Sequence, residues 1–110
     1  MPFTAAFIAH APDAEPERDT TVLETGLYRL FTVIVRDTAQ AIEVCRRLAA
    51  DEALDSVILC PGNTNADVAS VTAALDGKVS VSVARGDAPS AQIARAAMER
   101  AGWFGVRPGA

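Results

Sequence analysis

Apolar and polar residues alternate along this chain with two different periods, which predict a succession of strands and helices. Phe3–Ala9 is a short apolar run that predicts a first strand inside a sheet. Leu30–Val35 gives the strongest strand signal, because both of its alternating faces are apolar and both should therefore be covered. Val79–Val83 alternates valine with serine, which is typical of a strand nearer the edge of a sheet.

The segment Thr20–Thr25 allows two interpretations. Its alternation suits an edge strand, and Gly26 would then turn the chain into Tyr28–Val35 as a β-hairpin. In the other interpretation, Pro16–Leu23 forms a short helix that crosses over between parallel strands. We favour the hairpin.

Three segments have the period of amphipathic helices. In the first of them, Ala41, Cys45 and Leu48 fall on one apolar stripe, and Asp37 with Gln40 forms a capping box at the start. The predicted helices run from the Asp37 cap to about Glu52, over about Ala66–Leu75, and from about Asp87 to Ala101.

Leu54–Cys60 predicts a buried strand between the first two helices. Helical crossovers therefore join the last three strands, which makes these strands parallel and the connections right-handed. We expect an α/β fold with a single domain over 1–102, in which three helices pack on a mostly parallel mixed sheet of four to five strands. An N-terminal β-hairpin would complete that sheet, but the strand order does not follow from the pattern.

The length of 110 residues allows one domain with a single core, and half of the residues are apolar, as in globular proteins. The net charge of −4 argues against a nucleic-acid surface, which would normally be basic. The start lacks a basic leader, and Ala5–Ala9 is too short to span a membrane. Two separated cysteines fit reduced thiols, so we expect a cytoplasmic protein.

Residues 103–110 form a C-terminal tail that carries Trp103 and Phe104 after the last helix. Large aromatic side chains are rarely left free in water, so the tail should pack over its own domain or contact a second subunit. The sequence therefore predicts a homo-oligomer, and it predicts neither a nucleic-acid partner nor a membrane partner.

Polar residues follow the predicted parallel strands, and the carboxyl ends of such strands meet at one edge of the sheet. The residues gathered at this edge are His10, Arg36-Asp37, Cys60–Asn65 and Arg85–Asp87. The loop after Cys60 could hold a small anionic or polar ligand, since Gly62 lets the backbone approach closely and helix amides point outward. The predicted ligand-binding residues are Gly62, Asn63, Thr64, Asn65 and Arg85. The same residues also fit a simple turn, a helix cap and a surface charge.

A cysteine-dependent enzyme acting on a carbonyl compound is the alternative hypothesis. Cys60 would be its catalytic nucleophile, near a helix N-terminus, and His10, the only histidine, would be its base. Equally, Cys60 could be a small buried residue and His10 a loop residue bonded to the backbone, because no sequence feature brings them together. Cysteine and histidine spacing predicts no metal site, and no motif predicts a cofactor.

Several short segments together resemble a small α/β family of bacterial and archaeal proteins that carries only a domain-of-unknown-function label. The matching segments are Ala6–Ile8, Val22–Thr25, Thr32–Asp37 leading into Gln40-Ala41, Leu59–Gly62 and Val79–Arg85. This family has no assigned activity, so the resemblance implies the α/β fold and assigns no reaction. A third hypothesis, a structural subunit that assembles through its aromatic tail, also stays open.

Overall fold

The first strand of the chain lies in the middle of the sheet. The computed structural model describes residues 1–105. In chain order its elements are β1 (Phe3–His10), β2 (Thr20–Glu24), β3 (Tyr28–Val35), α1 (Thr38–Glu52), β4 (Ser56–Leu59), α2 (Asn65–Ala74), β5 (Ser80–Val83) and α3 (Ala88–Arg100). The apolar pattern of the sequence therefore corresponds to five strands and three helices, as in an α/β fold.

The five strands lie in the order β2-β3-β1-β4-β5. β1 is parallel to β3 and to β4, and β4 is parallel to β5. β2 is antiparallel to β3, with Val22 opposite Phe31, so Thr20–Thr25 contains a strand of a hairpin and not a crossover helix. The sheet is therefore mixed and mostly parallel, and the predicted fold class is confirmed.

Both crossover helices cover the same face of the sheet. α1 contacts β1 and β3, α2 contacts β5, and the two helices contact each other. Alternate residues of the strands point to this face and form the core with the helices; the fully buried large side chains are Ile8, Leu59, Val33, Val35, Val57, Val71 and Cys45. Burial of aliphatic side chains is the main force that holds the two layers together.

The opposite face of the sheet has no helical layer within residues 1–105. α3 has no buried residue and makes no extensive contact with any other element, and the described residues extend over 52 × 27 × 24 Å. The expectation that both faces of β3 are covered is therefore wrong for this single chain. Leu30 and Ile34, on the face away from α1, stay half-buried.

The helix ends follow the predicted capping residues closely. The Asp37 carboxylate accepts a hydrogen bond from the Gln40 amide at 2.9 Å, while the Gln40 side chain accepts from the Arg36 amide and not from Asp37. Trp103 is half-buried in the turn after α3, and the Arg95 guanidinium lies 4.6 Å from the centre of the Phe104 ring. The rest of the predicted tail, residues 106–110, lies outside the described residues.

Within residues 1–105, none of the helices combines the length and the apolar character needed to cross a membrane.

Candidate functional site

The chain leaves the neighbouring strands β1 and β4 in opposite directions, which places the switch point of the sheet between their carboxyl ends. We refer to this place as the crevice. After His10 the chain passes over the end of β3 to begin β2, and Asp19 accepts a hydrogen bond from the Ile34 amide there. After Leu59 the chain turns the other way through α2 to β5. Such a switch in direction is where ligands bind in open α/β sheets.

Three polar side chains meet at this crevice. His10 Nδ1 lies 3.4 Å from Cys60 Sγ, and Asn63 Nδ2 lies 3.5 Å from each of these two atoms. The Asn63 amide also donates a hydrogen bond to the Cys60 carbonyl at 3.1 Å, which fixes the loop against the end of β4. We call these three residues the Cys-His-Asn cluster.

The sheet itself brings the cluster together. Ile8 and Leu59 are register partners in β1 and β4, so His10, two residues after Ile8, and Cys60, directly after Leu59, leave the sheet at neighbouring positions. The Cys60 amide donates to the Ile8 carbonyl at 3.0 Å and extends the pairing by one residue. His10 and Cys60 are both half-buried, which leaves their side chains accessible from solvent.

The two cysteines of the chain have different surroundings. Cys45 lies on the core face of α1, and burial raises the pKa of its thiol to about 12. Cys60 lies at the sheet edge beside an imidazole and an amide. Both are free thiols, and only Cys60 combines access with a neighbouring base.

α2 begins beside the cluster with a complete capping box. Asp67 Oδ2 accepts from the Thr64 amide at 2.8 Å, and Thr64 Oγ1 accepts from the Asp67 amide at 3.1 Å. Two of the four N-terminal amides of α2 are therefore already satisfied, and those of Asn65 and Ala66 are left. A carboxylate at this position makes the helix start less suited to a strongly charged anion.

Asp67 and Thr38 are neighbours of the site that were not predicted from the sequence. Thr38 Oγ1 donates to Asp67 Oδ1 at 3.1 Å and so ties the start of α1 to the start of α2. Hydrogen bonds from the Thr64 backbone and side chain lower the pKa of Asp67, with smaller effects from Thr38 and the charge of His10. The pattern Thr64-x-x-Asp67 was the available signal for the cap, whereas nothing in the sequence indicated the contact with Thr38.

The other predicted ligand-binding residues lie around the cluster in different ways. A Cβ added at Gly62 would have no atom within 4 Å, so this position faces open space. A Cβ added at Gly86 would lie 3.3 Å from Pro61 Cβ, so the loop after β5 approaches the loop after β4. Arg85 itself is exposed, and within residues 1–105 it makes no hydrogen bond or ion pair.

Arg36 and Asp37, at the end of β3, serve local structure. Arg36 Nη1 lies 3.1 Å from Glu15 Oε1, and Asp37 caps α1. No group of three or more histidine, cysteine, aspartate or glutamate side chains within residues 1–105 is arranged to hold a metal ion.

Two surface cavities lie away from the crevice. One, of about 460 Å³, lies between the loop residues Glu15–Glu17 and α1, where Glu43 and Arg47 also line it. The other, of about 430 Å³, lies between the end of α1 and the turn after α2, beside Leu54 and Lys78. Neither cavity contains a predicted site residue.

The chain matches the family model of DUF6506, described as a family of unknown function, over residues 3–99. This match agrees with the resemblance to a family that carries a domain-of-unknown-function label. No curated protein and no solved structure matches the chain. Because the matched segment extends from β1 to the last turn of α3, the chain belongs to the DUF6506 family.

Proposed function

We propose that this protein binds a small polar ligand in the crevice between β1 and β4. The observation that carries the proposal is the convergence of a thiol, an imidazole and an amide from two strand ends and a loop, within 3.5 Å of one another. Polar groups that converge at the switch point of an α/β sheet are the usual composition of a ligand site. Free cysteines fit a reducing compartment, so we assign the protein to the cytoplasm.

The surroundings of the crevice favour a ligand with a carbonyl or hydroxyl group over a multiply charged anion. The Asn65 and Ala66 amides and the Cys-His-Asn cluster supply both donors and acceptors. The Asp67 carboxylate, held beside the same helix start, would repel a phosphate-like group. Arg85, the cation predicted for this site, makes no hydrogen bond or ion pair with the cluster.

A thermal-shift screen of small metabolites tests this proposal. We expect a ligand that raises the unfolding midpoint of the wild type to raise it much less in Asn63→Ala, because the amide that fixes the loop is lost. Gly62→Ala is a second probe, since its methyl group meets no protein atom but projects into the open space that a ligand would use.

Ser70→Ala, at an exposed position of α2, is the matched control and should respond to the ligand as the wild type does. Equal stabilisation of the wild type and of Asn63→Ala would locate the binding elsewhere and contradict the proposal. Cys60→Ser separates recognition from chemistry: a ligand that still binds this variant does not need the thiol.

A second candidate function is thiol chemistry on a carbonyl compound, and the distance of 3.4 Å between His10 Nδ1 and Cys60 Sγ favours it. An imidazole at this distance can accept the thiol proton and release a thiolate nucleophile. Native alkylation by iodoacetamide, with the modified cysteine identified by mass spectrometry, tests this step. We expect Cys60 to react at neutral pH about tenfold faster than in His10→Gln.

Cys45 is an internal control for this experiment, because its buried thiol should stay unmodified while the protein is folded. Modification of both cysteines at one rate would report unfolding and not a reactive site. If His10→Gln leaves the rate of Cys60 unchanged over the whole pH range, His10 is not its base.

A further inference from the structure

Within residues 1–105 no helix covers one face of the sheet, although the small side chain of Ala5 on this face is buried between its neighbours. Side chains alternate between the two faces of a strand, and the strand registers show which residues share a face. The open face is formed by Thr21 and Leu23 of β2, Tyr28, Leu30, Thr32 and Ile34 of β3, Phe3, Ala5, Phe7 and Ala9 of β1, Ser56 and Ile58 of β4, and Ser80 and Ser82 of β5. We call this set the open sheet face.

The open sheet face carries no charged side chain, although the chain has 10 basic and 14 acidic residues. Its apolar side chains are contiguous across the sheet: Phe3 stacks on Tyr28 with ring centres 5.7 Å apart, and Leu23 is 72% exposed. A continuous apolar surface of this kind marks an interaction site in a folded protein.

α3 supplies a second apolar surface that has no partner in the described chain. Ile93, Ala94, Ala97, Met98 and Ala101 lie on one side of the helix, and Gln92, Arg95 and Glu99 lie on the other. Ile93 is 74% exposed, and no residue of α3 is buried. An amphipathic helix normally buries such a stripe, so this one needs a cover that its own sheet does not provide.

We propose that the open sheet face and α3 form the interface of a symmetric homodimer. In this dimer the two open sheet faces pack against each other, and α3 of each protomer lies on the other protomer. In a twofold interface each patch meets a copy of itself, so a charged patch would be repelled, whereas an uncharged apolar patch suits its own copy. The absence of charge therefore favours a second copy of this chain over a charged partner.

The size of the surface agrees with a stable dimer. Five strands about 4.8 Å apart, with lengths of about 13–26 Å, give a face of roughly 500 Å². The stripe of α3 adds about 200 Å², because 13 residues of helix extend about 20 Å. Standard interfaces bury about 800 Å² on each partner. The sheet face alone would fall short, and the sheet face with α3 comes close to this value.

The position of α3 explains why the cover comes from another copy. Only residues 84–87 separate α3 from the end of β5, so the helix starts at an edge strand of the sheet. From there it projects away from its own domain, which contributes to the long axis of 52 Å. A helix that extends beyond its own sheet can reach the layer of a neighbouring protomer.

Sedimentation equilibrium of the purified full chain tests the proposal with two matched pairs of variants. We expect the wild type to have a mass of about 23 kDa, twice the chain mass of 11.5 kDa. Leu23→Glu buries a charge in the interface and should raise the dimer dissociation constant by about tenfold or more. Val22→Glu, on the next residue and the opposite face of β2, should leave the dissociation constant unchanged. Ala97→Glu should weaken the dimer, and Gln92→Glu, on the polar side of α3, should not.

Leu23, Ala97 and their controls are exposed in the single chain, and circular dichroism should confirm that each variant stays folded. A monomeric wild type at high concentration overturns the proposal and would indicate a different protein as the cover. A dimer that weakens equally in Leu23→Glu and Val22→Glu also overturns it, since the effect would not follow the face. If Ala97→Glu has no effect while Leu23→Glu does, α3 is excluded from the interface.

Discussion

At the residue scale, Asp67 links the helix cap, the Cys-His-Asn cluster and the start of α1. Its carboxylate accepts hydrogen bonds from the Thr64 amide and from Thr38 Oγ1. The charge of His10 also contributes to the lowered pKa of Asp67. A single side chain therefore holds the two loops that border the crevice. This role depends on the charged form of the carboxyl group.

We expect Asp67→Asn to be less stable than the wild type at neutral pH and equally stable in acid. The pKa of Asp67 in the folded protein lies below its ordinary value of 3.8. Its stabilising effect is therefore complete above that pH and is lost as the pH falls through the lowered pKa. Urea unfolding midpoints of both proteins, measured at about pH 7 and about pH 2, give the difference at each end of this range.

Asp51→Asn, which changes an exposed carboxylate of α1, is the control and should match the wild type at both pH values. Asp19, whose pKa is lowered to about 2 by Arg18 and by the Glu15 amide, titrates in all three proteins and cancels in the comparison. If the difference in urea midpoint between the wild type and Asp67→Asn is as large at about pH 2 as at about pH 7, the charge of Asp67 is not the cause of the difference.

The candidate site could be predicted from sequence only in part, and the missing part was spatial. Because His10 and Cys60 come at the ends of predicted strands, they were expected at the carboxyl edge of the sheet. The composition of the loop after Cys60 indicated Asn63 as a ligand-binding residue. Their meeting depends on β1 lying directly beside β4, which no local pattern specifies. Arg85 also follows a strand, yet its side chain makes no hydrogen bond or ion pair with the cluster.

At the element scale, α1 ends in a conformation that its sequence does not favour. Ala53 follows the last helical residue with φ of 53° and ψ of 51°, in the left-handed region where a Cβ is strained. Glycine is the usual residue at such a helix end, because it lacks this penalty. The polypeptide holds Ala53 there so that Leu54 enters the core below α1.

We expect Ala53→Gly to increase the free energy of unfolding by about 1 kcal/mol, because it removes the strain of the left-handed backbone. The same substitution at the exposed Ala69, in the middle of α2, should decrease it by about 1 kcal/mol. Urea denaturation of the two variants gives the two values with opposite signs. A decrease in both variants would show that the extra conformational entropy that glycine at position 53 gives the unfolded chain outweighs the backbone strain that it relieves in the folded protein.

Most elements could be predicted because their signals are local. The helix α1, with its Asp37 cap, and the alternating strand β5 lie where periodicity indicated, and α2 begins one residue earlier than expected because Thr64 and not Asn65 is the cap. α3 also forms where expected. Its apolar stripe, however, gave no information about what it packs against, since periodicity describes a helix face and not its partner.

At the scale of the whole molecule, residues 1–105 form a two-layer α/β domain in which one layer of helices covers one face of the sheet and no helix covers the other. The apolar residues on both faces of β3 indicated that both faces should be covered. They could not show that the elements within residues 1–105 cover only one of them. The strand order could not be predicted either. A right-handed crossover from β3 allows β4 to lie directly beside β3 or one strand further away, beyond β1.

The central place of β1 has a consequence for protein synthesis. Of the five strands the ribosome makes β1 before the others, but its second neighbour, β4, emerges roughly 50 residues later, which takes some seconds at about 5–20 residues per second. During that interval the nascent chain exposes an apolar strand with an unpaired edge, which is prone to aggregate. A nascent chain that stalls before Leu59 cannot complete its sheet, so early termination products of this protein should depend on chaperones or be degraded.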